Sequence, residues 1–279
     1  MLLLLFLKLI ESKSPIVLIP GSFRSRLHVT SDRRAGWYCP KHANNTFVFI
    51  SVKYFIPPFL SCFLDWMTVD YNETTNSQQN REGVDIHPED FGGISDVTVT
   101  GPRSLSFLFS YMLKMVKKFE GYGYVPKKDL FAAPYDWRFG ADMPDSYYES
   151  LQRIVEQAYT MNNNTKVALI AHSLGSQLAH IFLTEKTTPE WRKKYINSTT
   201  LIAPSWSGSG VSFNTLMRLQ SSFLSIFVPN KVIDFACRLG TLHIHMPHSL
   251  AYENTTLFID PDGNEYKAPQ LVDFLVKNK

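Results

Sequence analysis

Four short apolar runs recur along this chain, and each is stopped by a turn residue. They are IVLI at 16–19 before Pro20-Gly21, LFAA at 130–133 before Pro134, VALIA at 167–171 before His172-Ser173, and TTLIA at 199–203 before Pro204. Segments with a helical period lie between them. Residues 104–120 put Leu105, Leu108, Phe109, Met112, Val116 and Phe119 on one face, and 146–160 do the same with Tyr148, Leu151, Val155 and Ala158. Residues 175–184 read as a third helix that starts directly after the VALIA run. A strand apolar on both faces has to be covered on both, and helices between successive strands impose parallel pairing. The expected fold class is therefore α/β, a mostly parallel sheet with helices on both faces.

Two stretches break the alternation. Residues 31–95 are rich in Asn, Thr and aromatic rings and read as an irregular insertion over the sheet edge. Residues 205–250 gather Trp206, Phe213, Phe223, Phe227 and Phe235 and read as a cap layer. The remainder from residue 15 onward reads as a single domain, and the length is ample for one large core. With 19% charged and 44% hydrophobic residues the composition is that of a globular chain. A net charge of only +3, with no basic run of five residues, argues against a nucleic-acid partner.

Residues 1–14 begin with the apolar run Met1–Leu7, too short to span a bilayer, and then turn polar, as a cleaved secretory leader does. The alternative is a first strand. Sequons at Asn44, Asn72, Asn163, Asn197 and Asn254 fit the same route, as acceptors for glycans. Cys39 and Cys62 flank an aromatic segment and could close a loop worth about 3 kcal/mol, against the alternative of reduced, buried thiols. Cys237 is left over.

The chemistry concentrates in VALIAHSLGS, 167–176. A nucleophile elbow places a serine between a strand and a helix, with small residues two positions before and after it because neighbouring backbone passes close. Here those positions are Ala171 and Gly175, around Ser173. The alternative is an ordinary turn with Ser173 as a helix cap. In the elbow reading the Leu174 amide opens the helix and faces an oxyanion. A second donor is expected from the loop after the first strand, where the amides of Ser22 and Phe23 follow Pro20-Gly21.

A serine nucleophile needs a base and an orienting acid, here in the order Ser, Asp, His. Within the chain only Asp234, followed by His243, His245 or His248, satisfies it, with His248 the last histidine. HIHMPH could also suggest a metal site, but two His at i, i+2 are more simply strand residues sharing a face, and no metal or cofactor is expected.

Taken together, PIVLIPGS, DLFAAPYDWR (129–138), VALIAHSLGS and LIAPSWSGS (201–209) resemble the lecithin:cholesterol acyltransferase family, which includes the lysosomal phospholipase A and related plant and protist enzymes. The resemblance extends over most of the chain from Pro15. It implies an α/β-hydrolase core with a disulfide-closed lid or membrane-binding insertion at 31–95 and a cap at 205–250. It also implies acyl transfer from a glycerophospholipid through Ser173 to water or a lipid hydroxyl, with the amides of Ser22 and Leu174 holding the oxyanion. Phospholipid at a membrane or lipoprotein surface would be the partner, in a secreted, lysosomal or other endomembrane lumen. The Phe23-Arg24 pair departs from the small or glycine-containing loop usual there.

The family's Asp and His lie beyond the region that TLFIDPDGNEYKAPQLVDFL (256–275) matches. The chain is accordingly expected to be incomplete at its C-terminus, with Asp234 and the histidines at 243–248 falling in the cap. A lipid- or partner-binding relative without catalysis is the competing reading, and a general lipase or esterase of the same fold is a third.

Overall fold

In the computed structural model, residues 13–140, 142–216, 230–271 and 273–274 are described. Most of the expected leader, residues 1–12, and part of the cap, residues 217–229, lie outside them.

The four apolar runs form one parallel sheet. Strands β1 (Ile16–Ile19), β7 (Leu130–Ala132), β8 (Val167–His172) and β9 (Ile196–Ile202) lie in the order β7-β1-β8-β9. Because alternate side chains leave a strand on opposite faces, β1 feeds two cores. Val17 and Ile19 join Leu151, Val155, Ala158, Leu178 and Phe182 from the Asp145–Met161 and Leu174–Glu185 helices. Ile16 and Leu18 join Val97, Met112 and Val116 on the other face. Burial on both faces is why β1 and β7 read as unbroken apolar runs, whereas β9, at the sheet edge, is largely exposed.

Residues 104–120 do not form the single helix their period predicts. A turn of 3₁₀ helix (Arg103–Leu105) and a short helix (Ser106–Phe109) precede a break, and the Leu113–Gly121 helix follows it. Leu108, expected on the core face, is 65% exposed. Tertiary bonds explain the break: the amides of Tyr111 and Met112 donate to Thr98 O and Val97 O, and Phe109 O accepts from Thr100 N.

Residues 31–95 are more regular than expected. The three-stranded antiparallel sheet β3-β2-β6 comprises β2 (Leu27–Ser31), β3 (Ala43–Phe49) and β6 (Val84–His87). A Leu60–Met67 helix and the hairpin of β4 (Val69–Asn72) and β5 (Ser77–Asn80) complete the segment. A disulfide joins Cys39 to Cys62, fastening the 32–42 loop to that helix. A last hairpin pairs β10 (Thr256–Ile259) with β11 (Glu265–Lys267).

The DLFAAPYDWR motif fastens this outer layer to the sheet. Tyr135 donates its hydroxyl to Pro20 O at 2.9 Å, and the Trp137 indole N–H donates to Ser25 O at 3.3 Å. Arg138 is fully buried. Its Nε bonds both Asp136 carboxylate oxygens at 2.9 and 3.1 Å, Nη1 reaches Met67 O at 3.2 Å, and Nη2 bonds Asn80.

Because a buried ion pair that loses one partner strands the other charge, Arg138→Met is expected to cost about 3–5 kcal/mol of unfolding free energy. The double variant Asp136→Asn/Arg138→Met should recover part of it. Urea denaturation of the three proteins checks this, and a loss under about 1 kcal/mol in the single variant would reject the account.

Candidate active site

Ser173 joins β8 to the Leu174–Glu185 helix with φ 53° and ψ −124°. A non-glycine residue stays in this region only where its surroundings over-determine it. Here they do. The Ser173 amide donates to Ile202 O on β9 at 3.0 Å, and its carbonyl accepts from Ser176 N at 2.9 Å. The Ser176 hydroxyl ties back to Ala171 O at 3.2 Å. Packing leaves no room for larger neighbours: a Cβ on Gly175 would stand 2.3 Å from Pro20 O, and one on Gly21 would stand 2.9 Å from Ser173 Cβ. The serine side chain itself is half-buried and reaches the surface.

The turn and the loop after β1 therefore share one small space at the carboxyl ends of the central strands. Leu174 is the first residue of its helix, so its amide has no preceding intrahelical carbonyl and lies at the positive end of the helix dipole. Gly21 is buried, and its amide donates to the Tyr111 hydroxyl at 3.0 Å. Ser22 follows, half-buried, its hydroxyl accepting from Thr241 Oγ1 at 3.0 Å. Phe23 adopts φ 59° and places its ring 4.4 Å from that of Trp137, which is how this loop accommodates a large side chain.

Two residues near the turn, Tyr111 and Gln177, were not legible from sequence. Tyr111, carried in by the helix break, lies 2.6 Å from His172 Nδ1 through its hydroxyl. Burial raises its phenol to about 12, so it keeps its proton and donates to the imidazole. Burial, followed by the nearby Arg24 charge, lowers the His172 pKa and keeps that ring neutral. Gln177, in the first helical turn, donates to Ser205 O at 3.0 Å. His245, one of the three histidines expected as base, is buried, with Nδ1 2.7 Å from Thr241 O and, among the described residues, no partner for Nε2. No periodicity or motif marks Tyr111 or Gln177.

The proposed acid and base stand apart from this group. Asp234 is exposed and lines a surface cleft with Asp65, Arg81, Lys231 and Arg238. His248 is exposed and caps the Ser249–Tyr252 turn, accepting from Leu250 N at 3.2 Å. His248 therefore spends its Nδ1 on this cap rather than on Ser173. His243 bonds Cys237 O. Among the described residues no three His, Cys, Asp or Glu side chains converge in a way that could hold a metal ion. Of the sequon residues, Asn44, Asn163, Asn197 and Asn254 are exposed and Asn72 is half-buried.

A parallel sheet covered by helices, with a strained serine at a strand-to-helix turn, defines an α/β-hydrolase. The profile of one such family, lecithin:cholesterol acyltransferase, matches residues 46–221, and the chain belongs to that family. It is 30% identical over 200 residues to the bovine lysosomal phospholipase A and acyltransferase, covering 71% of this chain and 48% of that protein. It is 31% identical over 214 residues to lecithin-cholesterol acyltransferase-like 1 of Arabidopsis thaliana, covering 70% and 49%. The chicken phosphatidylcholine-sterol acyltransferase is 26% identical over 259 residues, covering 92% and 62%. The chain thus spans roughly half to six tenths of the length of these relatives.

Burial lowers the folded-state pKa of His28, His172 and His245. The unfolded chain therefore takes up protons first as pH falls through about 6.5, so these residues cost stability on acidification from about pH 7 to 5. His245→Asn is expected to reduce the pH slope of the unfolding free energy by up to about 1.4 kcal/mol per pH unit in that window. Urea denaturation across the window measures it, and an unchanged slope would rule out a buried neutral His245.

Proposed function

We propose that the chain is a serine-dependent lipid acyl-transfer protein. Ser173 Oγ attacks the ester carbonyl of a glycerophospholipid, its proton passes to a base, and the carbonyl oxygen becomes an oxyanion held by the Ser22 and Leu174 amides. Collapse expels the lyso-lipid alkoxide, which takes up a proton. The acyl-Ser173 ester is then attacked by water or by a lipid hydroxyl. The observation that carries this reading is the strained Ser173 backbone, kept in place by bonds to Ile202 and Ser176 and by glycines that admit no side chain. Preorganised amides at such a turn favour the charge that develops on the carbonyl oxygen, and one such donor is worth roughly 10²–10³ in rate.

A lipid surface as partner is supported by the lid segment. Val52, Phe55 and Ile56 are exposed beside Lys53, within the span where the disulfide fastens the loop. Apolar side chains grouped with a cation suit an interface between hydrocarbon and headgroups. Entry into a secretory or lysosomal lumen and glycosylation at the exposed sequons belong to the same reading. The relatives include proteins named lysosomal, and among the described residues no helix is long and apolar enough to cross a membrane.

The second reading, a lipid-binding relative without turnover, is favoured by one observation: His248, expected as the base, is exposed and bonded to the Leu250 amide of its own helix. A fluorophosphonate probe separates the two. The acyl-transfer reading expects labelling of the wild type and none of Ser173→Ala. Equal labelling of both, or none of either, would leave only binding. Independently, Ile56→Asp is expected to weaken sedimentation with phosphatidylcholine vesicles at least about fivefold, since a charge replaces a side chain that enters the interface. Undiminished sedimentation would remove the lid from the lipid contact.

A further inference from the structure

Tyr111 is the side chain around which the loop after β1 and the end of β8 meet. Its oxygen accepts the Gly21 amide at 3.0 Å, and its hydrogen is directed at His172 Nδ1, 2.6 Å away. The His172 ring stands edge-on to the phenol at 5.5 Å, and the Arg24 guanidinium lies 5.2 Å from the phenol centroid on its face. The backbone of this residue is itself fixed: Tyr111 N donates to Thr98 O at 2.9 Å, and its neighbour Met112 N donates to Val97 O at 3.1 Å. The chain interrupts a segment with a helical period to place this hydroxyl here.

Two consequences follow for the space beside Ser173. The Gly21 amide is consumed by the phenol, so it is withdrawn from any oxyanion and the next amide, that of Ser22, is the one left to face it. The peptide joining Pro20 to Gly21 is also tied, through the phenol, to His172, the residue immediately before Ser173. We infer that Tyr111 is a positioning residue for acyl transfer, whose hydroxyl bridges Gly21 and His172 and so fixes the oxyanion loop relative to Ser173. This rests on the acyl-transfer reading for its functional part and on the bridge alone for its structural part. The phenol touches neither substrate nor the reacting atoms, and it acts through the loop.

The test uses the full chain and two readouts. Tyr111→Phe removes one oxygen and keeps the ring. Amide hydrogen exchange at Gly21 is expected to accelerate at least about tenfold, as a buried N–H loses its acceptor. The maximal rate of Ser173 labelling by a fluorophosphonate is expected to fall about 10- to 100-fold, in line with a misplaced oxyanion donor. The probe concentration giving half that rate should stay unchanged, a split that a merely destabilised protein would not show. His172→Ala provides the second variant should Tyr111→Phe fail to fold. It removes the other end of the bridge and is expected to slow labelling while leaving the Gly21 amide its acceptor. The double variant should label no more slowly than Tyr111→Phe alone. Unchanged Gly21 exchange in Tyr111→Phe, or multiplicative losses in the double variant, would overturn the inference. If the wild type takes no label, the acyl-transfer reading fails, and Gly21 exchange still decides whether the bridge exists.

Discussion

A single buried guanidinium holds the two layers of this protein together. Arg138 closes the DLFAAPYDWR motif just after β7, yet its bonds run to Asp136 two residues before it, to the carbonyl of Met67 at the end of the lid helix, and to Asn80 on β5. Burying a charge this completely is tolerable only because its donors find acceptors in a fork geometry that a lysine could not match. The same motif reaches inward through Tyr135, whose hydroxyl bonds Pro20 O. That carbonyl is also the atom nearest to where a Gly175 side chain would stand. One short segment therefore sets the outer layer on the sheet and the first loop against the turn at Ser173. The length and specificity of DLFAAPYDWR in the sequence have their physical reason here: nearly every side chain in it has a buried partner.

The sheet was legible because its chemistry is local. A strand buried on both faces has to be apolar at consecutive positions, and Ile16–Ile19 and Val167–His172 begin where the runs begin. The turn at Ser173 was legible for a similar reason, since steric crowding at 171 and 175 is written directly as Ala and Gly. The break at 110–112 was not legible. Leu105, Leu108 and Phe109 satisfy a helical period, but the carbonyls of Val97 and Thr98, distant from any helical partner, compete for the amides of Met112 and Tyr111 and win. The strands of 69–80 escaped notice because their exposed and half-buried residues show no strict alternation. Tyr111 belongs to the same class of omission. Its place is defined by Gly21 and His172, far along the chain, and no local pattern encodes such a distance.

The histidines around the turn divide by what their ring nitrogens already do. His172 adjoins Ser173, but its Nδ1 accepts from Tyr111, so it has the bonding of a structural partner. His248 spends Nδ1 on its own helix cap, and His243 is bonded to a carbonyl. His243 and His245 each direct one ring N–H to a carbonyl and keep a lone pair on the other nitrogen; that of His245, Nε2, is buried and has no partner among the described residues. A carbonyl orients such a ring but carries no full charge with which to stabilise the imidazolium that would form, which is the service a carboxylate performs in a triad.

The described residues thus assemble the two halves of acyl-transfer chemistry unequally. In the proposed reading, the half that would receive charge on the substrate oxygen is backbone: amides at a helix start and in a pinned loop, whose orientation depends on packing rather than on titration. The half that moves the Ser173 proton has no bonded member. Oxyanion binding alone supports residual catalysis some 10³–10⁴-fold above water in serine hydrolases stripped of their triad. A chain arranged in this way would respond to a strongly electrophilic phosphonate far more readily than to an unactivated ester. The first needs chiefly a positioned oxygen and a stabilised oxyanion, whereas the second also needs a base to make the oxygen nucleophilic and an acid to release the alcohol. Reactivity toward the two kinds of electrophile is therefore a measure of how the two halves are supplied, and it separates the contribution of oxyanion binding from that of proton transfer.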